Sequence, residues 1–485
     1  MTIKDLNPQI VWKNFYGLTQ IPRPSKHEEK VIEYLYQWGK DHGVETIKDE
    51  TGNIIMRKPA TPGFENRRGV ILQGHMDMVP QKTADTKHDF LTDPIQTEIL
   101  GEWVGAKGTT LGADNGIGVA MAMAVMEDNT LQHGPVEALI TYDEETGMSG
   151  ADALKPGLFK GDIFLNLDSE SEGELCIGCA GGLDGTADFK YRTYKTPEGY
   201  VAYKLSVSGL QGGHSGMDIA LYRANANKIV ARALLPVIEN NGVKVSDIKG
   251  GSLRNAIPFE AEAIVLVPES EVKAVKASVA ATFAEVKSEY QYSDPSGEYH
   301  FEKASKTPAR YIQASVILRA VKAIMACPNG VMRMSDSMEG LTETSTNLAI
   351  IKCEKGHLKV ISLMRSAIDS SKANLAEQMR SVFELAGAEF TTAGGYNGWT
   401  PKPETPVYET VRRVWEEMAG SKMHTIATHG GLECALLGAK YPNWEMVSIG
   451  PDIVHPHSPD ERVRIASVEK VWEFLKKLLV EVPEK

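Results

Sequence analysis

The sequence predicts an α/β fold, a helix-covered sheet interrupted by an inserted α+β segment. Three observations carry this. Apolar strands alternate with helices through the first third of the chain. Around residue 187 the strands become half-exposed, with polar and apolar residues alternating. Beyond a Gly- and Pro-rich stretch starting at Gly394, the first pattern resumes. At 485 residues the chain is too long for one ordinary core. The economical division makes 1–186 and 399–485 one domain, with 187–398 inserted into it.

The elements follow in order. "SKHE", Ser25 to Glu28, fits a capping box opening a helix that stops at Gly43. "GVILQGHMDMV", from Gly69, reads as a buried strand. "GIGVAMAMAVME", from Gly116, reads as a helix with a small-residue face suited to close packing on a sheet. "VEALIT" and "DIFLNLD", from Val136 and Asp162, are two more buried strands. In the insert, "YVAYKLSVSGL", from Tyr200, alternates as a half-exposed strand should. A helix from Tyr222, strands around "LRNAIPFEAEAIVLV" and a helix from Ser270 come next. A similar order recurs after residue 330, through "LTETSTNLAIIKC", "HLKVISLMRSAID" and the helix "SSKANLAEQMRSVFELAG", although the residues do not repeat. "GGYNGWTPKPETP" reads as a linker. The helix "VYETVRRVWEEMA", the strand "NWEMVSIG" and the helix "SVEKVWEFLKKLLVEV" then complete the α/β domain.

Composition narrows the function. The net charge is −12 and no basic stripe interrupts the acidic balance, which argues against nucleic acid as a main partner. "MTIKDLNPQ" lacks the charged and apolar regions of a signal peptide, and the longest apolar run, Val119 to Met126, is too short to span a bilayer. No membrane association is expected. Five cysteines, few and odd in number, suit a reducing cytoplasm. "CIGC", Cys176 to Cys179, has neither a second Cys or His pair nor a thioredoxin-like context, and reads as ordinary buried thiols.

The chemistry concentrates at strand ends, where ligands bind in open α/β sheets. "GHMD" supplies His75 and Asp77, "GADNG" Asp114, "DEETGM" Glu144 and Glu145, "NLDSE" Asp168, and "VHPHSPDE" His455 and His457. His75 and Asp77, two apart in an extended segment, point to the same side. That suits a ligating histidine whose second ring nitrogen is fixed by a carboxylate. Each cluster alone has a bland reading: a chance histidine, a turn aspartate, a solvated strand end, a proline-rich loop. Gathered in one cleft, the five carboxylates would be electrostatically costly unless divalent cations removed the cost. Nitrogen and oxygen donors without thiolates suit zinc, with cobalt or manganese as replacements. A paired-metal site activates water and clamps a carbonyl oxygen, so cleavage of an amide or ester is the natural chemistry.

At these residues the chain resembles the di-zinc amidohydrolases and peptidases that include carboxypeptidase G2, succinyl-diaminopimelate desuccinylase and the cytosolic dipeptidases. The likeness runs over nearly the whole chain, through "IPRPSKHEE", "HMDMVPQK", "GTTLGADNGIG", "GGHSG", "LRNAIP", "HGGLEC" and "SIGP…HSPDE". It implies a zinc-peptidase-like mixed sheet covered by helices, with the insert as an α+β lid. It implies two Zn2+ per subunit, with His75 and Asp168 on one, Glu145 and His457 on the other, and Asp114 bridging. Asp77 supports His75, and Glu144 is the general base. On the insert, His214 would help hold the scissile carbonyl oxygen from another domain or subunit, Arg365 would take the substrate carboxylate, and Asn255 would also touch substrate. Glu433 is either a contact for the substrate's amine or a helix-end acid. The family usually has an acidic pair where this chain has Asp114-Asn115, but the second position is not a ligand, and the peptide bond there is often cis. Asp143 has no assigned role and reads as a solvated or capping acid. The implied protein is a cytoplasmic homodimer hydrolysing dipeptides, Xaa-His (carnosine-like) among them. The alternatives are an N-acyl amino-acid amidohydrolase of the same family and a catalytically dead metal-binding protein. The complete ligand set with an intact Glu144 speaks against the latter.

Overall fold

The structure is a computed structural model describing residues 2–485. The chain forms two compact units, Met1–Gly178 with Pro401–Ala427 and Leu432–Lys485, and Cys179–Thr400 with Thr428–Gly431. In the first unit, the strands Val70–His75, Val136–Thr141 and Ile163–Asn166 are buried along their whole length. Each is an almost unbroken apolar run, which only a sheet covered on both faces accommodates. They lie parallel, with Val70–His75 in the middle. The C-terminal part of the chain re-enters the sheet through Glu445–Ser448, parallel to Ile163–Asn166. Ile54–Lys58 and Glu45–Lys48 add antiparallel on one side, and Glu174–Cys179 and His424–Thr428 extend the other, giving a mixed eight-stranded sheet.

The helix Ala113–Glu127 packs on the central strand and on the helix Gln9–Thr19. Its small residues permit the close approach: a Cβ at Gly118 would sit 2.2 Å from the Leu167 carbonyl oxygen. In the second unit, nine strands form a sheet whose neighbours run antiparallel. The helices Ala226–Asn240, Val272–Glu289, Ala314–Ala326 and Asp369–Leu385 contribute to one core with it, including Val230, Leu234, Val265, Val279 and Phe383. The division between units falls before residue 187, because Gly181–Lys190 is one strand paired with His357–Ser366 along its entire length.

Several local expectations are corrected. The helix expected from Ser25 begins at Glu29, and no side chain caps it. Ser25 Oγ donates instead to Asp77 Oδ2 at 2.8 Å. The helix expected from Tyr222 begins at Ala226, because Tyr222 is left-handed (φ 54°) and Asn225 is the side-chain cap. The stretch 394–406 is not a free linker, since Trp399 exchanges backbone hydrogen bonds with Cys179. Cys176 and Cys179 lie buried on the strand Glu174–Cys179. Among the described residues, no helix is long and apolar enough to cross a membrane.

The fold makes Leu72, fully buried on the central strand, a sensitive position. Leu72→Ala is expected to destabilise the protein by about 2–5 kcal/mol through lost burial and an unfilled cavity. Leu385→Ser, at a residue 90% exposed, should stay within about 0.5 kcal/mol of the parent. Urea midpoints of the two variants check this.

Candidate metal centre

The carboxyl ends of the parallel strands gather the acidic and histidine residues. His75 is the last residue of the central strand and is buried. Its Nε2 lies 3.1 Å from Asp114 Oδ1 and 3.5 Å from Asp168 Oδ1, and its Nδ1 lies 3.4 Å from Asp77 Oδ1. Asp168 follows the neighbouring strand by two residues. His457 comes from a loop after the re-entering strand, where it adopts φ 59°. Its Nε2 lies 3.0 Å from Asp114 Oδ2 and 3.0 Å from Glu145 Oε2. The two oxygens of Asp114 therefore face one histidine each. The Asp114–Asn115 peptide bond is cis, as the resemblance implies. Asn115 is buried, and its Nδ2 donates to the Leu167 carbonyl at 2.7 Å.

Asp77, fully buried, organises the segment carrying the glutamates. Its two oxygens accept the backbone N–H groups of Glu144 (3.0 Å) and Glu145 (3.2 Å), which open the short helical turn Glu144–Gly147. Asp143 is corrected. It is fully buried rather than solvated, with φ 55°, and its carboxylate accepts from Lys26, Thr146 and Ser149. His455 is exposed, and its carbonyl accepts from Ser458 Oγ. Glu433 opens the helix Glu433–Lys440 and is buried, its Oε2 taking hydrogen bonds from Gln73 and Thr141, both at 2.6 Å.

Electrostatics follow the crowding. Burial works against a charged His75 ring, but Asp168, Asp114 and Asp77 outweigh it and hold its pKa well above the ordinary value. Hydrogen bonds to Asp114 and Glu145 push His457 up to about 11. Burial pushes Asp168 up to about 6, with Asp114 and Glu145 adding to it and His75 opposing. Burial likewise drives Glu144 well above the carboxylate range, aided by Asp168, Glu433 and Glu145. Within the protein alone, imidazolium rings are thus the counter-charges to the carboxylates. A divalent cation fits these donors. Glu145 Oε1 and Asp168 Oδ1 are buried with no hydrogen-bond partner, and donor atoms of His75, Asp114 and Glu145 lie within 4.8 Å of one another.

The second unit has its own polar cluster. His214 pairs in the short ladder Gly213–His214 with Ala256–Ile257. Its Nδ1 accepts from the N–H groups of Gly216 (3.3 Å) and Met217 (3.1 Å), which places the ring proton on Nε2. Arg365 is 5% exposed, and its contacts are the hydroxyls of Ser215 and Tyr396, both at 3.4 Å. Asn255 is exposed, its carbonyl receiving the Ser215 N–H at 2.8 Å. His429, which the sequence reasoning passed over although it stands in "HGGLEC", is buried beside them with Nε2 2.7 Å from Ser345 Oγ. Burial, with Arg365 nearby, pushes its pKa down to about 3.

Residues 71–481 match peptidase family M20/M25/M40. The cytosol non-specific dipeptidase of Escherichia coli K12 is 43% identical over 484 residues, covering 100% of this chain and 99% of that protein. The crystal structure of aminoacylhistidine dipeptidase from Vibrio alginolyticus shares 44% identity with a TM-score of 0.93, covering 100% of this chain and 99% of that one. Aminopeptidase PepT from Bacillus cereus, at 17% identity and a TM-score of 0.58 over 98% and 99% of the chains, shares the fold. The family match and the first two likenesses define a hydrolase acting on peptide bonds. The chain belongs to peptidase family M20/M25/M40.

His429 sets a pH dependence. Held neutral when folded but titrating near 6.5 when unfolded, it makes the unfolded chain bind the extra proton between pH 6.5 and about 3. Its contribution to stability is present above pH 6.5 and lost as pH falls below it. His429→Gln should flatten the fall in thermal midpoint between pH 6.5 and 4, removing up to about 1.4 kcal/mol per pH unit. Thermal scans of the two proteins across that range check this.

Proposed function

We propose that this chain is a cytoplasmic dipeptidase working with two divalent metal ions, zinc with cobalt or manganese as substitutes, and that Xaa-His dipeptides are among its substrates. One observation carries it: a single carboxylate, Asp114, presents one oxygen to His75 and the other to His457, the arrangement a bridging ligand requires. The ligand assignment is His75 and Asp168 for one ion, Glu145 and His457 for the other, and Asp114 for both. The names of the Escherichia coli and Vibrio alginolyticus relatives support the substrate class, and the former's name supports the cytosol. The resemblance extends the reading to a homodimer, which sedimentation velocity tests.

Bound dications would supply Lewis acidity toward the substrate carbonyl and a water of lowered pKa. The rest belongs to side chains. Glu144 accepts the water's proton on its carboxylate and returns it to the leaving amine. Its place beside the proposed ligand Glu145, with its own N–H bound by Asp77, suits it to this task. Asp77 fixes Glu144 through the backbone and steadies the His75 ring at Nδ1. His214, its Nδ1 occupied by two N–H groups, offers Nε2–H to the developing oxyanion. Arg365, a buried guanidinium whose side-chain hydrogen bonds go to the hydroxyls of Ser215 and Tyr396, takes the substrate's terminal carboxylate through its planar fork. Asn255, beside His214 through the Ser215 backbone pairing, gives a further polar contact.

A dipeptide panel run against N-acyl amino acids, on metal-stripped protein restored with zinc, manganese or cobalt in turn, tests the reading. Faster turnover of acyl amino acids would install the amidohydrolase alternative. Glu144→Gln should keep both metals by elemental analysis and lose about 10²–10⁴-fold in kcat. Arg365→Met should raise KM for dipeptides while leaving KM for dipeptide amides, which lack the carboxylate, nearly unchanged.

A further inference from the structure

Two buried charges in the first unit take no part in the proposed chemistry. Glu461 is 2% exposed, and its carboxylate receives four consecutive backbone N–H groups. Oε2 accepts from Leu111 (2.8 Å) and Gly112 (2.9 Å), and Oε1 from Ala113 (2.7 Å) and Asp114 (3.1 Å). Four donors shared between two oxygens leave no place for a proton, so the group is an anion held in a backbone nest. The amides converge because Gly112 is left-handed, with φ 70° and ψ 34°.

Arg23 is also 2% exposed. Its Nη1 donates to the carbonyls of Met76 and Asp77, both at 3.0 Å, and its Nη2 to that of Gly112 at 2.5 Å. The backbone carbonyl of Arg23 also takes the Met78 N–H at 3.1 Å. The Gly112 residue is therefore gripped from both sides, its N–H by the anion and its C=O by the cation. The same guanidinium reaches the loop that follows His75. There is no room for another residue: a Cβ at Gly112 would stand 2.5 Å from Arg23 Nη2 and 2.9 Å from Met78 Sδ. Either charge buried alone would be costly, and each offsets the other's field across one peptide loop.

We propose that Arg23 and Glu461 are positioning residues that fix the spacing of the His75 and Asp114 loops and so hold the metal-binding geometry in the metal-free protein. They touch no substrate and act through the backbone of the loops that carry the ligands. The inference rests on the reading of His75 and Asp114 as metal ligands. A site preset in this way binds metal without reordering two loops, so its affinity depends on the pair even where the fold does not.

The test uses full-length, metal-stripped protein, with zinc affinity measured by chelator competition and unfolding followed in excess chelator. Glu461→Gln keeps the side chain's shape but turns an NH2 toward two backbone donors. Zinc affinity should weaken about 10–100-fold, as for other groups that orient ligands, in a protein that still unfolds cooperatively. Gly112→Ala, which forces the same contact from the other side, should weaken zinc binding comparably, whereas Arg23→Lys, which keeps the charge, should weaken it less than Arg23→Met. If Glu461→Gln fails to fold, Gly112→Ala and the Arg23 pair carry the test. Lower unfolding temperatures with unchanged zinc affinity would overturn the proposal, since that is the mark of a purely structural pair. Parent protein that takes up no zinc at all would instead overturn the ligand reading, and this inference with it.

Discussion

Like-charge repulsion at the ends of buried strands is the constraint on which the rest of this structure depends. Asp77, Asp114, Glu144, Glu145 and Asp168 converge where the parallel strands stop, Asp77 buried and the other four half-buried. Carboxylates so placed either take up protons or acquire counter-charges. The chain supplies the counter-charge to Asp114 twice, as His75 and as His457, which holds Asp114 below the usual carboxylate range against the effect of its burial. Asp168 and Glu144, less well matched, are driven upward. Cations of higher charge would satisfy all of them at once and leave the histidines neutral, the form in which imidazole ligates a metal.

The apolar sheet prepares for this charge before it is reached. Each central strand ends in polar side chains that bond to one another across the sheet. Ser448 Oγ donates to Asn166, the Asn166 amide donates to Gln73, and the Gln73 amide donates to Glu433, which also takes the Thr141 hydroxyl. All these side chains are buried. The polarity of the chain, donors running toward one carboxylate, orients each amide, so no orphaned group is left among them except Glu433 Oε1. Glu433 thus opens its helix with one oxygen, Oε2, taken up by the sheet and the other, Oε1, left without a hydrogen-bond partner.

Much of this was legible in the sequence, and the part that was not shares one cause. Apolar runs such as "VEALIT" announce buried strands by composition alone. The clusters after them are legible because histidine and carboxylate pairs at strand ends are chemically unusual. Arg23, Glu461 and His429 were missed because their partners are backbone groups or residues far away in sequence. Glu461 meets the amides of Leu111 to Asp114 across about 350 positions, and no periodicity encodes that. Ser25 illustrates the same limit. Its spacing to Glu28 fits a local cap, yet a buried carboxylate 52 residues away takes its hydroxyl. Local hydrogen bonds are worth little against an uncompensated buried charge.

The three adjacent acids at Asp143–Glu145 show how that preference resolves crowding. Three carboxylates cannot point the same way from one strand end, and the backbone separates them. Asp143 takes φ 55° and turns its carboxylate to Lys26, Thr146 and Ser149. The next two residues begin a helical turn whose free N–H groups point at Asp77, so a fourth acid stabilises the segment instead of repelling it. Glu145 is then free to meet His457, while Glu144 keeps its high proton affinity. A left-handed aspartate costs strain in most contexts. Here it is held by one cation and two hydroxyls, and it is what lets neighbouring glutamates hold different environments. Asp143 therefore bears on this strand end through geometry, its left-handed backbone leading into the short helical turn that carries Glu144 and Glu145.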